Sequence, residues 1–206
     1  YAKTVTLGGT HWADTNRVML RNRRIGCSVS GIAQFITTRG IHELKEWLEA
    51  GYDTIQDWDK QYSDWFAVPK SIKTTSVKPS GTVSLLAGAT PGLHYPESRF
   101  YIRRVRLSKH SELIEPMKKA GYKIEPAYGS EDTTSVVEVP VDVGEGIRTA
   151  GELSIWEQFN IAAFMQRHWA DNQVSCTVTF NPETEGEQIP HVLNYFQYHL
   201  KGISLL

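Results

Sequence analysis

Cysteine is scarce: only Cys27 and Cys176 occur in 206 residues, 149 positions apart. Two thiols so placed make no disulfide framework and no metal site, and such usage suits a reducing cytoplasm. Long apolar runs are missing as well. No stretch approaches the roughly 18 apolar residues that a membrane span requires. There is no N-x-[ST] acceptor, no G-x-x-x-x-G-K-[ST] phosphate loop, no internal repeat and no low-complexity tract. The chain opens Y-A-K-T-V-T-L-G-G, without methionine or signal peptide, so it is expected to begin inside a longer polypeptide. What is present is ordinary globular material, 40% hydrophobic and 22% charged. That suffices for one substantial core, and residues 1–206 are read as a single domain.

Net charge is −1, yet it is unevenly spread. Residues 1–110 carry 16 Lys/Arg against 9 Asp/Glu, and residues 111–206 carry 6 against 14. Such a split suits a basic face that gathers a polyanion. Two halves that neutralise each other would look the same. A nucleic-acid surface is not expected, because no basic cluster interleaved with aromatics is longer than F-Y-I-R-R-V-R at 100–106.

The stretch that organises the chain is residues 71–97, S-I-K-T-T-S-V-K-P-S-G-T-V-S-L-L-A-G-A-T-P-G-L-H-Y-P-E. Residues 72–77 alternate like a half-buried strand. Lys78-Pro79-Ser80-Gly81 breaks it, with Gly81 read as the point of close backbone approach. Residues 82–87 predict a short helix that Gly88 ends. A strand, a turn and a helix start leave N–H groups pointing forward, and the hydroxyls of Ser80, Thr82 and Ser84 add donors for an anion. A plain Ser-capped helix would share this pattern.

Along the rest of the chain, helices are predicted at 14–21, 32–38, 42–50, 53–66, 108–120, 154–170 and 189–200. The helix at 42–50 is expected to bury Leu44, Trp47 and Leu48, and that at 53–66 Ile55, Trp58, Tyr62, Trp65 and Phe66. Strands are predicted at 25–29, 100–107, 123–127, 133–141 and 172–180, with an acidic loop at 181–187. Alternation of this kind indicates α/β with parallel pairings. In the strand at 100–107, Arg103 should lie on the inner face, more buried than Arg104, and pair with a carboxylate or a backbone carbonyl, with Glu138 a candidate.

Four ordered segments then add a resemblance: N-R-R-I-G-C-S-V-S-G (22–31), K-P-S-G-T-V-S-L-L-A-G-A-T-P-G-L-H-Y-P (78–96), F-Y-I-R-R-V-R (100–106) and D-N-Q-V-S-C-T-V-T-F (171–180). Together they resemble the adenosylcobalamin-dependent ribonucleotide reductases. The resemblance implies a C-terminal section of the ten-stranded α/β barrel shared with glycyl-radical enzymes, with parallel strands and crossing helices. It implies a substrate-phosphate site at Pro79, Ser80, Gly81, Thr82 and Val83, and a second substrate-side loop at Thr90-Pro91-Gly92-Leu93-His94. Gly92 and His94 are its candidate residues, although a rigid Pro/Gly turn reads the same way. It further implies adenosylcobalamin, a ribonucleotide substrate, the remainder of the reductase chain and a dithiol reductant such as thioredoxin.

The resemblance also shows what is missing. Reduction at the 2′ carbon needs a radical cysteine, a reducing thiol pair and usually a carboxylate. Cys27 and Cys176 match none of these and read as small apolar-strand residues. No catalytic residue and no metal ligand is therefore assigned here, and His191 and His199 read as surface imidazoles. No residue is assigned to the cobalamin. A different radical enzyme on the same barrel, or a non-catalytic nucleotide-binding module, remains open.

Overall fold

The structure is a computed structural model that describes residues 1–81 and 83–206; Thr82 lies outside the described residues. In chain order the elements are α1 (Ala2–Val5), α2 (Ala13–Asn22), β1 (Cys27–Ser28), α3 (Ile32–Phe66) and β2 (Thr75–Ser76). Then come α4 (Val83–Leu86), β3 (Phe100–Ser108), α5 (Ile114–Lys119), β4 (Lys123–Pro126) and β5 (Thr134–Asp142). Last are α6 (Ile155–His168), β6 (Thr177–Val178), α7 (Pro182–Glu185), α8 (Ile189–Phe196) and β7 (Ser204–Leu205). They divide into two compact units, one of residues 1–96 with 146–206, the other of residues 97–145.

The first unit is α/β with parallel strands, as expected. β1 pairs with β2 and β6 with β7, both parallel, and a parallel bridge from Val77 to Val174 links the two pairs. Helices separate successive strands, so each return is a βαβ crossover. The regular strands are shorter than the alternation suggested.

α6 begins at a capping box: the Ser154 hydroxyl accepts from the Glu157 N–H at 3.3 Å, and Glu157 accepts from the Ser154 N–H at 2.9 Å. It buries Ile155, Phe159, Ala162 and Met165 in one core with Leu44 and Leu48 of α3 and Val192 and Phe196 of α8. Burying a side chain the size of Phe159 is worth about 1.5–3 kcal/mol.

α3 corrects two expectations. It turns at Gly40, with φ 84° and ψ 167°, but runs on through residues 50–53 where a break was predicted. Gly51 is there because Trp169 presses on it; a Cβ would stand 3.3 Å from the indole. The inward face is set by Leu44 and Leu48, which turns Trp47, Trp58 and Trp65 outward at 65%, 47% and 63% exposure. Tyr62 stacks between Trp58 and Phe66 on that outer side.

The predicted acidic loop at 181–187 is instead α7, which Asn181 caps from its side chain with Pro182 in the first turn. The helix predicted at 108–120 shortens to α5.

The second unit is a three-stranded antiparallel sheet, ordered β3-β5-β4. In β3 exposure alternates, with Arg103 on the half-buried face and Arg104 exposed, as the strand's phase predicted. The pairing expectation fails. Register sets Arg104 opposite Glu138, so Arg104 takes that carboxylate at 3.2 Å and also that of Glu125. Lys123 joins them at 3.1 Å from Glu138. Arg103 faces Val139, and its guanidinium has neither a carboxylate nor a carbonyl partner among the described residues.

Candidate functional site

Two loops leave the carboxyl ends of β1 and β2 in the first unit, a third follows α4, and the three are tied to one another. The first follows β1. There the Ser28 hydroxyl accepts from the Lys78 N–H at 2.9 Å. The Ser30 hydroxyl lies 2.5 Å from that of Ser80 and accepts from the Gly92 N–H at 3.4 Å. One serine thus touches both of the other loops.

The second loop, residues 78–81, follows β2. Ser80 takes a left-handed backbone, φ 42°, although Gly81 had been read as the special position. A non-glycine residue in that region is held there by its surroundings at a cost of about 1 kcal/mol or more. The holding contacts are visible: the Ser80 carbonyl accepts from the Ser84 N–H at 3.2 Å and from its hydroxyl at 2.5 Å. This corrects the reading of Ser84 as an anion donor, because its hydroxyl is buried and engaged within the turn. Pro79 and Val83 are exposed, Val83 at 70%, and Gly81 is half-buried. α4 spans only four residues, so few N–H groups are aligned at its start.

The third loop, residues 88–94, is latched to the start of α3. Gln34 donates to the Gly88 carbonyl at 2.9 Å and accepts from the Thr90 N–H at 2.8 Å, a two-point grip by one amide. The Gly31 N–H donates to the Thr90 carbonyl at 2.8 Å. Gly92 lies directly against the second loop. Its φ is +54°, and a Cβ on it would stand 2.4 Å from the Lys78 carbonyl oxygen. Only glycine permits that approach. His94 is neither free donor nor bare surface imidazole: its Nε2 accepts from the Thr177 N–H at 3.2 Å, tying the loop to β6. The Thr90 hydroxyl is buried without a partner among the described residues.

Ser80, Gly81, Gly92 and His94 thus belong to one braced cluster, with Pro79 and Val83 on its rim. Ser28, Ser30 and Gln34 complete it. The sequence showed Ser28 and Ser30 within N-R-R-I-G-C-S-V-S-G but gave them no role, and nothing marked Gln34. Cys176 sits in the core as expected, whereas Cys27 is only half-buried. Burial pushes Cys176 up to about 12 and raises Cys27 as well, so both stay protonated and unreactive at neutral pH.

Loops converging at the carboxyl edge of a parallel α/β sheet define the class of protein that binds its ligand in that crevice. Comparison with known proteins narrows the class. No protein-family model matches the chain. It is 62% identical over its whole length to the adenosylcobalamin-dependent ribonucleoside-triphosphate reductase of Euglena gracilis. It is 61% identical to the probable enzyme of that name from Dictyostelium discoideum and 37% identical to that of Levilactobacillus brevis. A crystal structure of a B12-dependent, class II ribonucleotide reductase superposes on 99% of the chain, with a TM-score of 0.84 at 33% identity. The chain corresponds throughout to a section of the adenosylcobalamin-dependent ribonucleotide reductase family. It spans 27–28% of the two most similar of these relatives and 32% of the solved structure. No helix among the described residues is long and apolar enough to cross a membrane.

Proposed function

We propose that this chain is the substrate-phosphate section of an adenosylcobalamin-dependent ribonucleotide reductase that converts ribonucleoside triphosphates to 2′-deoxyribonucleotides. The observation that carries the reading is the mutual bracing of residues 28–34, 78–81 and 88–94. Loops fixed in this way hold a polyanion in register without reorganising, and positioning of that kind supplies catalytic power with no bond made by the protein. The phosphates are assigned to the backbone of Ser80, Gly81, Thr82 and Val83, with the Ser80 and Thr82 hydroxyls assisting. Pro79 fixes the turn. Gly92 and His94 form the second wall, one by close packing and the other through β6.

The reducing chemistry is assigned to parts of the polypeptide outside this chain. Cys176 is a protonated core thiol and Cys27 a protonated, half-buried one, whereas the reaction oxidises a thiol pair as the 2′ hydroxyl leaves as water. A dithiol reductant of the thioredoxin kind would restore that pair. When bound, adenosylcobalamin supplies the radical that initiates the reaction. No residue of this chain is assigned to it. The imidazoles that face other groups are engaged, His94 with Thr177, His168 with Glu49 and His199 with the Tyr195 carbonyl. No metal-binding cluster occurs among the described residues.

The test is Gly92→Ala in the intact polypeptide. The added methyl forces the Lys78 carbonyl away and unseats the second loop. Triphosphate affinity, measured by equilibrium dialysis, should fall on the order of tenfold or more, the loss expected for displaced charge-assisted donors. Far-ultraviolet circular dichroism should not change. Equal affinity in variant and parent would overturn the phosphate assignment. Deoxynucleotide formation without added adenosylcobalamin would overturn the enzyme class.

A further inference from the structure

The amino edge of the same sheet, opposite the three loops, carries an unexplained concentration of positive charge. Each parallel segment is entered through a charged residue: Arg24 before β1, Lys73 before β2, Asp171 before the segment containing β6, and Lys201 before β7. Lys73 donates its ammonium to the Asp171 carbonyl at 2.8 Å. Lys201 donates its own to the same oxygen. One neutral acceptor therefore serves two like charges.

The Asp171 carboxylate does not relieve them by direct contact. Its Oδ1 accepts from the Tyr52 hydroxyl at 2.9 Å, and its Oδ2 accepts from the N–H and hydroxyl of Thr74 at 2.9 and 3.0 Å. No carboxylate lies within ion-pair distance of Arg24, Lys73 or Lys201 among the described residues. Burial lowers the Lys201 pKa, and the fields of Lys73 and Arg24 lower it further against the opposing pull of Asp171. Like charges crowded together at a sheet edge are destabilising unless an anion sits among them.

Lys201 also lines a cavity of about 780 Å³ beside α6 and α8. Its walls include Phe164, Tyr195, Phe196 and Leu200, with Arg167 and His199 among the basic groups, and no carboxylate lines it. Apolar walls under a basic rim suit a ligand that joins a hydrophobic body to an anionic head.

We propose that this amino edge is a second anion site, binding an organic phosphate whose oxygens lie between Lys73 and Lys201 and whose apolar body enters the adjoining cavity. It is separate from the substrate-phosphate loops, because the two lie at opposite ends of the parallel strands.

The experiment is calorimetric titration of the intact polypeptide with inorganic phosphate and then phenyl phosphate, at constant ionic strength. The parent is compared with Lys73→Gln, Lys201→Gln and the double variant. Phosphate binding at the substrate loops persists in all four proteins, so the difference isolates this site. Each single variant should weaken the site on the order of tenfold, the loss of one charge-assisted hydrogen bond. The double variant should lose that binding phase, and phenyl phosphate should bind the parent more tightly than phosphate does. Without anion, the double variant should melt at or above the parent temperature, since repulsion is relieved. Identical titrations in parent and double variant would overturn the proposal. So would a double variant that melts well below the parent without anion, since an acidic group of the polypeptide would then already fill the site.

Discussion

Lys3→Met should be among the most damaging single changes in the chain. Lys3 and Asp59 form a buried ion pair, 2.9 Å apart, with side chains 3% and 4% exposed. The ammonium also donates to the Pro69 carbonyl and the Ser71 hydroxyl, each at 3.1 Å. The carboxylate accepts from the Ser71 hydroxyl at 2.6 Å and the Ser71 N–H at 2.8 Å. This network ties α1 to the C-terminal part of α3 and to the entry of β2. Burial alone would raise the Asp59 pKa, but hydrogen bonds from Ser71 and Lys3 outweigh it and hold the carboxyl below its ordinary value. Methionine keeps the volume and removes the charge, leaving a buried carboxylate whose one cation is gone. The expected loss is about 3–5 kcal/mol. Replacing both partners, as Lys3→Met with Asp59→Leu, should recover most of it, because the desolvation of two charges nearly cancels their attraction. The assay is urea unfolding of the intact polypeptide, with hydrogen exchange at the Ser71 amide as a local reporter. Since the folded pKa is depressed, the parent's network contributes fully above the unfolded carboxylate pKa and is lost as pH falls through the folded value. A single variant within about 1 kcal/mol of the parent would refute the argument, since a surface ion pair behaves that way.

Phe159→Ala should cost about 3–5 kcal/mol, because its ring is buried against Phe196 in the centre of the core; a smaller loss in denaturant melts would mean the site collapses freely. Arg148 and the Ser154 cap hold the Glu157 carboxyl down to about 2 from 4.5, so its contribution is present above pH 4.5 and fades as pH falls toward about 2. With the side chain 44% exposed, that contribution is discounted to about 1 kcal/mol, and Glu157→Gln should remove the corresponding slope from stability measured against pH. Cys176, buried and raised to about 12, should resist iodoacetamide at pH 8 until the protein unfolds; labelling of the native state at the rate of a free thiol would contradict that burial.

Much of the candidate site's geometry was legible because its residues are chemically unusual where they stand. Pro79, Ser80 and Gly81 interrupt an alternating strand, and the Ser154-x-x-Glu157 box marks a helix start without tertiary help. The rest depended on packing across long sequence separations. Gly51 looks like a helix breaker until the Trp169 ring, 118 residues away, is seen against it. Trp47, Trp58 and Trp65 were assigned to the core by hydrophobicity, yet helix phase follows Leu44 and Leu48. Ser84 was read as a donor to a ligand, and its hydroxyl is spent on the turn that shapes Ser80. The antiparallel sheet of the second unit has its own alternation, and the parallel reading was carried over from its neighbours. Gln34 had no local signature at all, since its partners are the backbone of a loop more than fifty residues on. Asn181-Pro182 did carry a helix-start signal, which the acidic composition of the following residues obscured.

The central claim is that the braced loops hold the phosphates of a ribonucleotide. A crystal structure of the intact polypeptide soaked with a ribonucleoside triphosphate tests it directly. The account predicts phosphate oxygens within hydrogen-bond distance of the backbone N–H groups between Ser80 and Val83, with the loop of Gly92 and His94 alongside. Triphosphate density elsewhere on the polypeptide, with these loops empty at saturating ligand, would contradict it.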